Sequence, residues 1–205
     1  MNRYTLTKTD EIKRGAHAAF IDSEYNASFS YRPEFLSNDY KQGKKVLSSI
    51  EAELSNCDEF CISVAFITMS GITPLLQVLR ELEEKGIHGK ILTTDYLTFS
   101  EPKALEKLSQ LKNIELRMFC TDNETGGFHT KGYIFRKEEI YRIIIGSSNL
   151  TMNAMTKNRE WNTKIVSTSQ GAMAKEVLGE FDSFWNDRRS LRYEQFIETY
   201  KTKYK

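Results

Sequence analysis

Apolar positions along this chain fall into short continuous runs and stripes spaced three and four apart. Val46, Leu47, Ile50 and Leu54 recur at helical spacing over residues 44–56, with polar residues opposite. Residues 60–67 (FCISVAFI) form a nearly unbroken apolar run, expected as a buried central strand. Ser70-Gly71 opens a second helix with Pro74 in its first turn. Leu75, Leu76, Leu79 and Leu82 form its buried face, and Gly86 stops it. A strand is expected over 89–94, a helix from Pro102 through Leu105, Leu108 and Leu111, and a third strand over 114–119. Strand, helix, strand, helix, strand is the order of a parallel sheet covered by helices.

The second half reads differently. Residues 120–127 (CTDNETGG) are polar and glycine-rich, a loop that leads into two strands on either side of the charged turn Arg136-Lys137-Glu138-Glu139, a hairpin pattern. Residues 150–159 predict a loop with one helical turn, 161–166 a last strand, and 171–185 a helix. Met173, Val177, Leu178, Phe181 and Phe184 supply that helix's apolar face. The class expected is α/β, with a mixed, largely parallel β-sheet flanked by helices. Residues 1–43, with a short helix over 12–21, are expected as an N-terminal extension packing on a core domain of residues 44–186. Residues 187–205 are basic, with Arg188, Arg189, Arg192, Lys201, Lys203 and Lys205. They read as a solvated helix packing through Phe196 and Ile197, as a linker to further sequence, or as a place for nucleic-acid backbone.

Composition narrows the partners. A chain of 205 residues suits one domain, and a formal net charge of +1 means that any basic surface must be local. Cys57, Cys61 and Cys120 are odd in number and lack metal-ligand spacing, so they read as small, reduced core residues. The N-terminus is polar, and no apolar run approaches the ~20 residues of a membrane span, which points to a cytoplasmic protein with no membrane partner. His17 and His88 read as surface or packing residues.

Chemistry concentrates between Phe128 and Trp161. His129 and Lys131 stand two residues apart in an expected strand, so their side chains point the same way. An imidazole is a nucleophile or proton carrier near neutral pH, and a fixed cation beside it can hold a phosphate oxygen. An apolar strand then ends in Gly146-Ser147-Ser148-Asn149, where Ser147 and Asn149 offer hydrogen bonds on a loop. Glu160 follows eleven positions after Asn149 and could orient an imidazole. Nearby cations (Arg136, Lys137, Arg142, Lys157, Arg159 and Lys164) could contact a phosphate backbone, Arg159 and Lys157 being the nearest to Glu160 in sequence. No internal repeat is evident, so the chain carries one His-x-Lys element.

His129-x-Lys131, Gly146-Ser147-x-Asn149 and Glu160 together resemble the signature of the phospholipase D superfamily. The aspartate expected seven positions after the histidine is replaced by Arg136. That loss resembles the nuclease branches and the tyrosyl-DNA phosphodiesterases. FCISVAFIT with Ser70-Gly71-Ile72, GKILTTDY from Gly89 and FHTKGYIF from Phe128 are similar to a narrower group. These are the phospholipase D-like nuclease domains at the N-terminus of some bacterial DEAD/DEAH-type helicases. The resemblance spans about residues 18–186 and implies a phospholipase D-like fold with its catalytic domain over 44–186. It implies a metal-independent nuclease without cofactors, acting on DNA before RNA. Two chains would share a site in a homodimer: one His129 attacks phosphorus and forms a phosphohistidine, and the other protonates the leaving oxygen. Lys131, Asn149 and Ser147 would stabilise the charge on the non-bridging oxygens. A helicase module in the same polypeptide is a further implied partner. The competing expectations are a catalytically weak or inactive nucleic-acid-binding or dimerisation module attached to a helicase and, with less support, a phospholipid hydrolase.

Overall fold

The computed structural model describes residues 6–121 and 127–204, so residues 122–126 of the expected loop, and Lys205, lie outside the described residues. The N-terminal segment contributes α1 (Lys8–Phe20), a short strand β1 (Glu34–Leu36) and α2 (Val46–Asn56). Thr7 caps α1 in a reciprocal pair with Asp10. Strands and helices then alternate as the apolar pattern requires. β2 (Glu59–Val64) leads into α3 (Met69–Ile72) and α4 (Leu76–Glu84). β3 (Gly89–Thr94), α5 (Pro102–Ser109) and β4 (Ile114–Phe119) follow. After them come β5 (Lys131–Lys137), β6 (Ile140–Gly146), α6 (Met152–Thr156) and β7 (Asn162–Thr168). α7 (Ala172–Trp185), β8 (Ser190–Arg192) and α8 (Tyr193–Tyr204) end the described chain.

All eight strands join one mixed sheet flanked by helices, in the order β1-β7-β6-β5-β2-β3-β4-β8. Its sense corrects the expectation of a largely parallel sheet. Only β2–β3 and β3–β4 are parallel, because only they are linked by helical crossovers. The other pairings, β1–β7, β7–β6, β6–β5, β5–β2 and β4–β8, are antiparallel. The turn between β5 and β6 is Glu138-Glu139, too short for a crossover, and Glu138 takes a left-handed φ of 51° to make it. β7 is not the last strand. β1 and β8, three residues each, are too short for their periodicity to announce.

The sheet separates two apolar layers by simple alternation. Phe60, Ile62, Tyr133 and Phe135 face α2, α4, α5 and α8. Cys61, Leu92, Ile134 and Ile143 face the other way, under Ala174, Phe181 and Trp185 of α7. Met173, expected on the buried face of α7, is exposed, and Ala174 takes the inward position. The cysteines are free thiols; burial pushes Cys57 up to about 11 and Cys61 to about 12, which leaves them inert at neutral pH. His88 is exposed, and His17 packs on the ring of Tyr25.

The C-terminal segment is neither fully solvated nor a loose linker. Phe196, Ile197 and Tyr200 are buried in the larger core, and β8 extends the sheet beside β4. Phe196→Ala should therefore lower the stability of the whole domain by about 3–5 kcal/mol, as large-to-small core changes do. Urea denaturation measures this, and a change within about 0.5 kcal/mol, usual for surface sites, would refute the packing.

Candidate active site

β5 begins at Lys131, so His129 lies in the lead-in to the strand and not within it. Its position is set on both sides. Phe128 is buried, stacked on Phe119 at 5.5 Å and edge-on to Phe184 at 5.3 Å. Thr130 shares a 2.6 Å hydrogen bond with Ser63 of β2. Between these anchors the imidazole is exposed, and Lys131 lies half-buried next to it. The lysine Nζ donates to the His129 carbonyl oxygen at 3.0 Å and also contacts Nδ1 of the ring. The expected juxtaposition is present, although pairing with Val64 of β2 places the lysine and not the histidine.

The second element is built where β6 stops. A Cβ on Gly146 would meet the Trp161 carbonyl oxygen at 2.2 Å and Asn162 Cα at 2.6 Å, so only glycine allows the two strands to close there. Ser148 is wholly buried. Its amide donates to Asn162 Oδ1 at 3.2 Å, its hydroxyl accepts from Asn162 Nδ2 at 2.9 Å, and its carbonyl accepts from the Tyr133 hydroxyl at 2.9 Å. Asn149 Oδ1 accepts from the Phe66 amide at 3.1 Å. No described protein group accepts from its Nδ2, so that NH2 is the open end of the side chain.

Glu160 accepts a hydrogen bond from Ser147 Oγ, while the Trp161 amide donates to the same hydroxyl at 3.1 Å. The carboxylate is thus tied to Ser147 and not to His129, and its field reaches Lys131 and Tyr133. Partial desolvation by the neighbouring protein, then the charge of Lys131, hold the largely exposed imidazole of His129 below its ordinary pKa, so it is neutral at pH 7. Burial also lowers Lys131, against the opposing pull of Glu160. The site therefore presents a neutral imidazole next to a cation.

Arg136 stands five residues along β5 from Lys131, roughly 16 Å at strand rise. It pairs with Glu59 of the neighbouring strand at 3.0 Å. The missing aspartate thus corresponds to a structural ion pair away from the histidine. Lys137 is likewise paired with Asp58, and Lys164 with Glu34 and Glu53. Arg142 donates to the Ser30 carbonyl and lies near Glu53. A cavity of about 400 Å³ that includes these paired cations is therefore not a free basic site. Lys157 and Arg159 are exposed and make no ion pair among the described residues.

Three residues at the site were not singled out from sequence. Tyr133, on the same face as Lys131 and two positions on, could have been found by strand alternation. Phe66 and Tyr96, whose rings meet that of His129 edge-on at 5.8 and 6.0 Å, could not, because they come from other strand ends. Among the described residues no three His, Cys, Asp or Glu side chains gather to hold a metal ion, and no helix is long and apolar enough to cross a membrane.

Comparison with known proteins sets this geometry in context. The family model described as cardiolipin synthase, PLD-like domain, matches residues 50–185. No curated protein matches the chain. Among solved structures, the phospholipase D family member Nuc from Salmonella typhimurium is similar at 19% identity and a TM-score of 0.60, over 79% of this chain and 99% of that one. Phosphatidylserine synthase from Haemophilus influenzae gives 15% identity and 0.58, over 83% and 43%. Yeast tyrosyl-DNA phosphodiesterase gives 14% and 0.51, over 84% and 40%.

Two outcomes follow from the site's construction. In an NMR titration the His129 ring should change charge below the ordinary 6.5. Lys131→Met should move the midpoint upward, because it removes a positive neighbour that disfavours imidazolium. A midpoint at or above 6.5 in the parent protein would contradict the geometry. Tyr133→Phe deletes a buried hydrogen bond and leaves the Ser148 carbonyl without that donor; it should cost about 1–3 kcal/mol in denaturant melts.

Proposed function

The chain belongs to the cardiolipin synthase, phospholipase D-like domain family, and on that premise we propose that it is a phosphodiesterase that hydrolyses nucleic acid, DNA before RNA. The observation that carries this reading is the neutral His129 beside Lys131, with the open amide of Asn149 clamped at the end of the neighbouring strand. His129 attacks phosphorus through a ring nitrogen that Lys131 releases as it turns to the phosphate, and forms a P–N bond as the P–O bond to the leaving oxygen breaks. Lys131 and Asn149 Nδ2 take the charge that gathers on the non-bridging oxygens. Ser147, tied to Glu160, lies at the same strand end and fixes the carboxylate beside Lys131.

One imidazole cannot be nucleophile and general acid in the same step. With a single His-x-Lys element per chain, the proton for the leaving oxygen comes from His129 of a second copy in a two-fold homodimer; that ring takes up a proton from solvent and enters the step as imidazolium, while the attacking ring stays neutral. In the second step that imidazole takes a proton from water, the water oxygen attacks phosphorus, and the P–N bond breaks. Each step is an in-line exchange at phosphorus that the chain's own residues can complete.

Nucleic acid is favoured over lipid by Lys157 and Arg159, two exposed cations on the segment between Asn149 and Glu160 that make no ion pair among the described residues. They suit a repeating phosphate backbone. The family's name and the synthase similarity keep lipid phosphodiesters as the second reading. A cytoplasmic setting, on the polar N-terminus and the lack of a long apolar run in the sequence, and a helicase module in the same polypeptide, on the motif resemblance alone, belong to the reading as well.

Labelled DNA, RNA and phosphatidylcholine vesicles, each incubated with chelator present, separate the readings. DNA cleavage is expected, with His129→Ala lowering the rate roughly a thousandfold. Acid-labile, base-stable phosphate should be trapped on His129. Equal rates for the two proteins would leave a binding module in place of an enzyme, and cleavage of lipid alone would move the substrate to the membrane. A sedimenting monomer with full activity would overturn the shared site.

A further inference from the structure

Beside His129 the structure carries an aromatic group that the chemistry at phosphorus does not use. Between β3 and α5 the chain runs Asp95-Tyr96-Leu97-Thr98-Phe99-Ser100. Tyr96 is 37% exposed and Phe99 57%. Phe66 links them to the nucleophile: its ring meets Phe99 edge-on at 5.0 Å and His129 at 5.8 Å, while Tyr96 meets His129 at 6.0 Å. Rings in this position touch the one imidazole that must remain open to a phosphate.

The loop that carries them is held in a costly shape. Leu97 and Thr98 both take left-handed backbone conformations, with φ of 54° and 51°. Such conformations are uncommon for residues with a side chain, more so for a β-branched one, and they persist only where the surroundings over-determine them. The surroundings do so here. Asp95 Oδ1 accepts from both the amide and the hydroxyl of Thr121 at 2.8 Å, and Lys203 of α8 lies 3.5 Å from its other oxygen. At the far end, Ser100 Oγ accepts from the Ile67 amide at 3.1 Å, and the Tyr200 hydroxyl of α8 donates to its carbonyl at 2.7 Å. The loop is therefore pinned at both ends, with the aromatic side chains outward.

We propose that Tyr96 and Phe99 form a stacking platform for the base next to the scissile phosphate, which makes an unpaired strand the substrate. This rests on the reading of His129 as the nucleophile of a nucleic-acid phosphodiesterase. A base inside a duplex is already stacked and paired, and reaching a side-chain ring would require its extrusion. An unpaired base has a free π-face, and aromatic platforms bind such bases with little regard to sequence. A lipid headgroup offers no ring to stack. A second copy of the chain is the competing occupant of these rings. Their edge contacts with His129 favour the substrate, because the scissile phosphate has to lie against that imidazole whichever chain supplies the second one.

Binding is measured with His129→Ala protein, which separates it from turnover, using a short fluorescent single strand, the same strand with scanned abasic positions, and its duplex. The single strand should bind more tightly than the duplex. Tyr96→Ala with Phe99→Ala should weaken it between about five- and a hundredfold, while Tyr96→Phe should retain it. An abasic position should reproduce the loss at one register of the strand and add nothing in the double variant. Unchanged affinity in a double variant with parental circular dichroism overturns the platform. So does a sedimentation run in which the double variant loses self-association and binds the strand as before. If the wild type cleaves DNA in a His129-dependent manner while the aromatic variants bind and cleave normally, this inference fails alone. If strands bind through the two rings but no phosphodiester is ever hydrolysed, the enzymatic reading fails and the platform stands.

Discussion

Ser148 cannot reach water, so each of its polar groups has to be met from inside the protein. An unmet buried group would cost about 1–3 kcal/mol. The partners are Tyr133 on β5 and Asn162 on β7, strands on either side of β6. This one requirement fixes the turn after β6 to both of its neighbours. Ser147 and Asn149, on either side of Ser148, are held with it, one against Glu160 and the other against the end of β2. A buried serine between Ser147 and Asn149, bonded to both neighbouring strands, leaves the turn few other conformations.

The same logic extends outward. Asn38 is buried beneath α6, where its amide donates to the Ala154 and Asn158 carbonyls at 2.8 Å and its oxygen accepts from the Val46 amide at 2.9 Å. The N-terminal segment is thereby tied to both α2 and the loop that carries Lys157 and Arg159. Close packing of Gly71 on the Leu150 carbonyl, 2.1 Å from where a Cβ would lie, brings the chain after β2 against the chain after β6. Polar satisfaction and close backbone approach, more than any single ion pair, hold the strand ends together. The partly exposed pairs of Arg136 and Lys137 contribute little to stability; together with the more buried pairs of Arg142 and Lys164 they leave none of these four cations unpaired.

Electrostatics at the site follows from geometry. Lys131 and the surrounding protein both disfavour a charged His129, while Glu160 compensates the lysine and not the histidine. The result is an uncharged imidazole in direct contact with a cation, the arrangement on which the proposed attack on an anionic diester rests. The rings of Phe66 and Tyr96 meet the imidazole edge-on.

Much of the fold was legible in the chain. β3 and β4 lie over residues 89–94 and 114–119 as periodicity predicts, since a run of buried residues bounded by glycine and polar positions leaves little choice. His129 and Lys131 were legible as a pair because they sit two positions apart at the edge of a strand. Periodicity reports which side of an element is buried, but not which element lies next to it. Tertiary structure alone therefore decided the antiparallel half of the sheet, the partnership of Glu160 with Ser147, and the remoteness of Arg136. It also decided the burial of α8, whose apolar residues are too sparse to separate from a solvated helix until a neighbouring sheet surface is present. The rings around His129 belong to the same class. Phe66, Tyr96 and Phe99 are scattered over more than thirty positions of sequence, and only the parallel pairing of β2 and β3 delivers the ends of both strands to one place.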